Sequence, residues 1–482
     1  MKPYLDILKL VWPLALGMVN NALMQFVDRA FLARESMASL EAALPASILA
    51  FNVLGFFHSV IAYSGTFVAQ YRGAGDARMC RMSFRAGTFL ALASGALALL
   101  FVPAGSAVLE LFTANGEVLA RELSYYRIVT AGGVFLFLQM AVTAYFTGLG
   151  RTRPVFWVNV AGNAFNAALD PVLIFGLYGC PRLGIAGAAY ATVAATALQW
   201  IALAWLARGV GNGERGTGNG EREDGHETGD ERRDEVPSRL ASNVSRPTPT
   251  TPTPPNPNTS PLISLILRIL RYGVPSGAYT ALNLLSFTIF VFVTGRVGDV
   301  AFAVSNACFS VNYLLFAPME GFSIGAATLV GEAQGRGDPD AAHRAAMRTL
   351  LLGVSFVAAI SLAAVVLSRP ILALFAPKGA AESAEFLSLG TTLFLWMAAW
   401  QVFDATDIII SGALKGAGDT KFVFWWMLIV AFGVWLPVVW IVARAGGGMA
   451  ALWSTMVVYV VVICVGSLIR WRFGRWRRIK LV

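Results

Sequence analysis

The chain has 482 residues, of which 56% are hydrophobic and only 13% are charged, with a formal net charge of +9. This composition and a mean hydropathy of +0.63 exclude the soluble globular classes. A bilayer core is crossed by roughly 20 apolar residues, and runs of that length recur along nearly the whole sequence. The sequence therefore predicts an integral membrane protein.

The apolar runs predict an all-α, polytopic membrane fold with twelve transmembrane helices. The first run contains Asp28 and continues past any secretory signal length, so it is interpreted as a retained helix. The predicted helices lie near residues 10–33, 44–69, 86–109, 123–149, 154–177, 184–207, 262–295, 300–330, 346–367, 384–414, 420–443 and 447–469.

Basic residues are concentrated in the loops that fall on one side of the membrane. The positive-inside rule makes that side, and both chain termini, cytoplasmic in an inner or plasma membrane. The basic tail is interpreted as an anchor at the lipid surface, and no nucleic-acid partner is predicted. Residues on this side include Arg72, Arg85, Arg151, Arg336, Lys415, Lys421, Arg470, Arg475, Arg478 and Lys480.

Composition changes abruptly after Arg208, first to glycine and charged residues and then to proline and threonine. Such a stretch cannot bury a core, so a disordered cytoplasmic linker is predicted. It divides the chain into two lobes of six helices each. The predicted parts are an N-lobe (residues 1–208), the linker (209–261), a C-lobe (262–469) and a basic cytoplasmic tail (470–482).

The two lobes repeat each other at a constant offset of 262 residues, which becomes 268 near the end of the fourth helix. Because each repeat has an even number of spans, both lobes enter the membrane in the same orientation. They form two six-helix bundles related by a parallel pseudo-twofold repeat, a plan found in transporters. Matched pairs include Pro13 and Pro275, Gly73 and Gly335, Asp76 and Asp338, and Gly148 and Gly416.

Acidic residues inside the predicted helices are candidates for function. A carboxylate at the bilayer centre costs roughly 2.5 to 3.5 kcal/mol, so it normally faces a cavity or a partner. For Asp28 and Asp407, a position at a helix end among headgroups and water is the alternative. The acids are Asp28, Asp170, Glu320, Asp404 and Asp407.

Asn163, Asn166 and Asp170 lie three and four residues apart, so they share one helix face. Two amides beside a carboxylate form an oxygen-rich site for a proton or Na⁺, and no other metal site is predicted. None of the lysines belongs to a phosphate-binding G-K-[ST] motif, so an ion gradient is the expected energy source. Pro13 is either a hinge or a proline tolerated in the first turns of its helix.

Three segments resemble the multidrug and toxic compound extrusion (MATE) family of the multidrug, oligosaccharide-lipid and polysaccharide flippase superfamily. They are WPLALGMVNNALMQFVDRAFLAR, NAFNAALDPVLIFG with GIAGAAYAT, and WQVFDATDIIISGALKGAGDT. The resemblance implies a monomeric efflux transporter that exchanges organic, often cationic, solutes for Na⁺ or H⁺ and needs no cofactor.

The resemblance also assigns roles to individual residues. It implies an N-lobe cation site and a hinge at Pro13 that bends when this site is protonated. Asp404 matches a C-lobe carboxylate of another branch, but helix seven has no acid near Asn283, so the N-lobe site is favoured. The N-lobe site comprises Asp28, Asn166, Asp170 and Thr192, and the secondary candidates are Asn163, Asp404, Asp407 and Glu320.

Two other functions stay open. A flippase for lipid-linked oligosaccharides shares the two-lobed plan and would be favoured by a cavity rich in arginine, whereas the intramembrane charges here are mainly acidic. A membrane-embedded enzyme would need a metal cluster or a nucleophile motif, and the sequence shows neither. The protein is therefore not expected to be an enzyme.

Overall fold

The computed structural model describes residues 2–113, 115–216, 260–375 and 380–482, and every regular element within them is helical. The N-lobe contains α1 (Lys2–Glu35), α2 (Met37–Ala62 and Ser64–Gly73), α3 (Ala77–Phe112), α4 (Gly116–Ala131 and Gly133–Gly148), α5 (Thr152–Phe175) and α6 (Ile185–Gly216). The C-lobe contains α7 (Pro261–Thr294), α8 (Asp299–Gly335), α9 (Pro339–Val366), α10 (Ala380–Gly416), α11 (Thr420–Leu428, Ile429–Trp435 and Leu436–Arg444) and α12 (Met449–Phe473). The all-α prediction is confirmed.

Ten of these helices are long and apolar enough to cross a membrane, and α4 is the eleventh when its two segments, bent by 42°, count as one span. The remaining helix of the twelve is α5. Its 24 residues include three asparagines and Asp170, which lower its hydropathy. The polar residues that set α5 apart are also those that the sequence marks as a candidate site.

The internal repeat extends to the loops that follow α2 and α8. Gly75 and Gly337 adopt the left-handed conformation, with φ of 76° and 74°, which glycine reaches without steric cost. The next residues, Asp76 and Asp338, each accept a hydrogen bond from the backbone N–H three residues later, at 2.8 and 2.7 Å. These N-caps start α3 and α9 in the same way.

The lobes touch backbone to backbone at one end of the bundle, which we call the closed end and define by Gln70, Gly73, Glu332 and Gly335. A Cβ atom on Gly73 would overlap the carbonyl oxygen of Glu332, and one on Gly335 would overlap that of Gln70. The 262-residue offset exchanges these two contacts, so the interface is symmetric. Arg72 Nη1 adds an ion pair to Glu332 Oε2 at 3.3 Å.

Two pairs of membrane-spanning helices continue this interface away from the closed end. In the first seam α1 packs on α8, and in the second seam α2 packs on α7. Glycines on the C-lobe helices let the backbones approach closely in both seams. The glycine contacts are Gly321 on Ala15, Gly325 on Val11, Gly273 on Val60 and Gly277 on Phe56.

Hydrogen bonds between the lobes are also concentrated near the closed end. Tyr63 Oη donates to the Lys415 carbonyl and Gln70 Nε2 to the Gly416 carbonyl, both at 3.0 Å. Farther along α1, Gln25 Nε2 donates to Tyr313 Oη at 3.0 Å in a contact between two exposed side chains. The lobes are therefore joined most tightly at one end.

The segment between the lobes lies mostly outside the described residues. The helix α6 continues to Gly216, and the description resumes at Ser260, directly before α7. The predicted linker over residues 209–261 thus stays a prediction for most of its length. At the other end of the chain, Trp476 and Leu481 are only 0% and 1% exposed, so the tail packs on protein instead of serving only as a lipid anchor.

Candidate cation sites in the two lobes

One face of α5 carries a stripe of polar side chains. Asn159, Asn163, Asn166 and Asp170 are spaced four, three and four residues apart, which places them on one side of the helix. The last three were identified from the sequence. The same spacing, extended by one step towards the N-terminus, identifies Asn159 as well.

The stripe holds α5 against three other helices. Asn163 Nδ2 donates to Asn21 Oδ1 of α1 at 2.9 Å, and Gln199 Nε2 of α6 donates to Asn163 Oδ1 at 3.2 Å. Gln139 Nε2 of α4 donates to Asn159 Oδ1 at 3.3 Å. In this conformation Asn163, a secondary candidate, joins α5 to α1 through its amide nitrogen and to α6 through its amide oxygen.

Farther towards the C-terminal end of α5, a pair of carboxyl groups from α1 and α5 lies inside the N-lobe. Asp28 and Asp170 face one another closely enough to interact, and Asn166 Nδ2 donates to Asp170 Oδ1 at 3.2 Å. Asp170 is 0% exposed and Asn166 is 4% exposed. Asp28 Oδ1 and Asp170 Oδ2 are buried and accept no hydrogen bond from the part of the chain that the structure describes.

This arrangement is incomplete without a positive charge or a proton. Two ionised carboxylates in contact repel each other, and a buried oxygen without a partner costs roughly 1 to 3 kcal/mol or more. A proton shared by Asp28 and Asp170, or a Na⁺ bound between them, would remove both penalties. Tyr125 of α4 lies within electrostatic range of the pair, and nothing in its sequence context distinguishes it.

The two other N-lobe candidates are not joined to the carboxyl pair. Thr192 lies on α6, and its hydroxyl donates to the Ala188 carbonyl at 2.9 Å within that helix. Pro13 is buried inside α1, between Val11 and Ala15 of the first seam. Proline leaves a backbone carbonyl of the preceding turn without its helical donor, so α1 is weakened next to that seam.

The C-lobe contains a second buried carboxylate with direct partners. Asp407 of α10 is 3% exposed, and its Oδ1 accepts hydrogen bonds from Ser467 Oγ of α12 at 2.6 Å and from Ser411 Oγ at 3.5 Å. Asp407 therefore lies inside the bundle and not at a solvated helix end. The sequence named Asp407 as a secondary candidate but did not predict Ser467 as its partner, because Ser467 is 60 residues away along the chain.

Asp407 belongs to a group of charges in the C-terminal part of α10 and beside it. The Lys415 ammonium lies 3.9 Å from the centroid of the Tyr279 ring, a cation–π contact, and the charges of Glu320 and Asp407 act on it. Asp404 lies within electrostatic range of Glu320 and Asp407. The structure thus brings together the three C-lobe acids that the sequence proposed and adds a lysine.

Comparisons with known proteins agree with this architecture. The MatE family model matches residues 13–172 and again residues 275–441, so each lobe matches it separately and the two matches begin at the paired prolines. A probable multidrug resistance protein NorM of Bradyrhizobium diazoefficiens is 28% identical over 460 residues, covering 93% of this chain and 89% of the relative. The multidrug resistance protein NorM of Burkholderia vietnamiensis is 26% identical, covering 97% and 93%.

Solved structures share the fold. A MOP superfamily transporter from Pyrococcus furiosus superposes with a TM-score of 0.78 at 18% identity, covering 99% of this chain and 97% of the other. An outward-facing multidrug resistance MATE family transporter superposes with a TM-score of 0.79 at 18% identity, with the same coverage. The separate matches of both lobes to one family model show that the chain belongs to the MatE family, the multidrug and toxic compound extrusion transporters.

Proposed function

We propose that this protein exports organic, cationic solutes in exchange for Na⁺ or H⁺ by alternating access. The observation that carries the proposal is the pair of Asp28 and Asp170, two carboxyl groups from different helices with an unpartnered buried oxygen on each. An ion that binds there supplies the missing partner of both oxygens, and it is released when the conformation of the lobes changes. The names of the NorM relatives support drug-like compounds as the cargo.

The helix α1 provides the connection between ion binding and the lobes. It carries Asp28 in its second half and packs on α8 through Val11 and Ala15 in its first half. Pro13 lies between these two seam residues and allows α1 to bend there. Binding of an ion at Asp28 would then stabilise one arrangement of the first seam more than the other. Coupling requires such a difference in ion affinity between the two conformations.

The orientation follows from the charge of the loops. The closed end is the end with Arg72, Arg336 and the basic tail, and positive charge marks the cytoplasmic side. In this orientation the closed end lies on the cytoplasmic side. We propose a plasma-membrane protein, monomeric, with both termini in the cytoplasm.

The C-lobe acids support a cationic cargo. When ionised, Glu320, Asp404 and Asp407 carry three negative charges against one positive charge on Lys415, so this part of the bundle attracts cations. A lipid-linked oligosaccharide carries phosphate groups and would need the opposite polarity. The flippase function is thus less well supported than cation export.

The proposal is tested by flux of ethidium in proteoliposomes that contain the purified wild-type protein. An inwardly directed Na⁺ or H⁺ gradient should drive dye movement against its own gradient, and collapse of that gradient with an ionophore should stop it. Dye accumulation that is the same with and without both gradients would contradict exchange. Transport of a lipid-linked saccharide without any dye movement would favour the flippase.

A further inference from the structure

The last residues of the chain fold back onto the closed end. Trp471 in the last turn of α12 and Trp476 just after that helix stack with ring centroids 4.0 Å apart and planes 6° apart. Trp476 Nε1 donates to the Trp471 carbonyl at 2.7 Å, and Trp471 Nε1 donates to His343 Nδ1 of α9 at 3.1 Å. The tail therefore leaves the membrane in a fixed direction.

Further contacts fasten the tail to the C-lobe. Gln334 Nε2, one residue before Gly335 of the closed end, donates to the Trp476 carbonyl at 3.2 Å. Arg477 Nη1 donates to Asp340 Oδ1 at the start of α9, at 3.0 Å. The tail thus lies directly over the loop that joins α8 to α9.

Trp476 is also part of the hydrophobic cluster that contains residues of the first seam. It is fully buried in a cluster that contains Ile7 and Val11 of α1 together with Ala333 of α8 and Ala342 of α9. These are residues from both lobes. Separation of α1 from α8 would therefore open the cluster in which Trp476 is buried.

Leu481 is likewise part of the hydrophobic cluster that contains residues of α2 and α7, the helices of the second seam. It is 1% exposed within a cluster that contains Tyr71 of α2 and Cys80 of α3 as well as Leu265 and Ile269 of α7. Its neighbour Ile479 packs against the same cluster. The tail therefore reaches, within six residues, the apolar contacts of both seams.

We propose that residues 475–482 form a strap that holds the closed end shut and has to detach before that end opens. Opening separates α1 from α8 and α2 from α7, which opens the two clusters in which Trp476 and Leu481 are buried. The strap therefore stabilises the closed arrangement and not the open one, and this difference shifts the population of the two states. The inference rests on alternating access as part of the proposed function.

The test measures conformation and not transport, so that failure of the strap and failure of ion exchange are distinguishable. Spin labels on Ala77→Cys of the N-lobe and Arg344→Cys of the C-lobe, both at exposed sites near the closed end, report the distance between lobes in nanodiscs. The background variant Cys180→Ser removes the cysteine that is not buried. We expect Trp476→Ala and Leu481→Ala each to raise the ratio of open to closed protein by about tenfold or more.

Matched variants separate the strap from other effects of the tail. Lys480→Ala, which changes an exposed neighbour of Leu481, should leave the ratio of open to closed protein unchanged. Leu481→Met should also keep the wild-type ratio, because it keeps the apolar volume that Leu481→Ala removes. An unchanged ratio in both alanine variants would overturn the proposal. A shift in Lys480→Ala as large as in Leu481→Ala would also overturn it, because it would show that tail charge at the lipid surface is responsible.

Discussion

Asp170→Asn is expected to abolish the dependence of dye efflux on either ion gradient, and Asp28→Asn to reduce ion-driven efflux at least tenfold. Asparagine keeps the size of the side chain but removes its charge and its capacity to bind a proton. The buried pair then no longer binds an ion more tightly in one conformation than in the other. A tenfold loss corresponds to about 1.4 kcal/mol of coupling free energy.

The measurement is ethidium flux in proteoliposomes under imposed Na⁺ or H⁺ gradients. The matched control is Asp6→Asn, because Asp6 lies on the same helix as Asp28 but has a side chain 71% exposed. Asp404→Asn tests the C-lobe in parallel. If efflux still depends on an ion gradient in both N-lobe variants but not in Asp404→Asn, the coupling ion binds in the C-lobe and the N-lobe proposal is contradicted.

Gly335→Ala and Gly73→Ala are each expected to lower the fraction of closed protein at least tenfold. The added Cβ atoms would overlap backbone carbonyl oxygens, which cannot move aside as a flexible side chain does. Because the two contacts are exchanged by the internal repeat, the two variants should have similar effects. Transport should fall with the closed fraction, since each cycle passes through the closed state.

The same spin-label pair that reports on the strap measures this change. Gly116→Ala is the control, because no atom lies within 4 Å of a Cβ at that position and it lies on α4, which forms neither seam. A closed fraction that is unaltered in both seam variants would mean that the close backbone contact of Gln70 and Glu332 is unnecessary for closure.

Much of the fold could be predicted because the membrane imposes it on the sequence. Spans follow from the length of apolar runs, and the repeat follows from pairs such as Asp76 and Asp338, which cap α3 and α9 in the same way. The helix α5 was also predicted, although its polar residues lower its hydropathy below that of the other spans.

The N-lobe site could be predicted in part. The spacing of Asn166 and Asp170 indicates that they share one helix face. Asp28 and Asp170, however, lie on different helices and are 142 residues apart in sequence, so helical spacing cannot predict their pairing. That pairing came from family resemblance and not from periodicity. Tyr125 near the same pair was missed, because a tyrosine in an apolar segment is most often an ordinary packing residue.

The sequence named the three C-lobe acids, but the place of Lys415 beside them and the strap could not be predicted from it. Lys415 was assigned to a basic cytoplasmic loop, but its long side chain extends to the Tyr279 ring. Side-chain direction at a helix end depends on what packs beside it. Likewise Trp476 lies in a strongly basic segment, so only the tertiary structure shows that it is buried.

The central claim is that ion movement and solute movement are coupled through the pair of Asp28 and Asp170. Linkage is reciprocal, so a solute gradient should move ions just as an ion gradient moves solute. The most direct measurement therefore imposes an ethidium gradient across proteoliposomes with equal Na⁺ and H⁺ on both sides and follows trapped indicators for both ions. The account predicts ion movement opposite to the dye in wild type and none in Asp170→Asn. Equilibration of the dye in wild type without movement of either ion would contradict it.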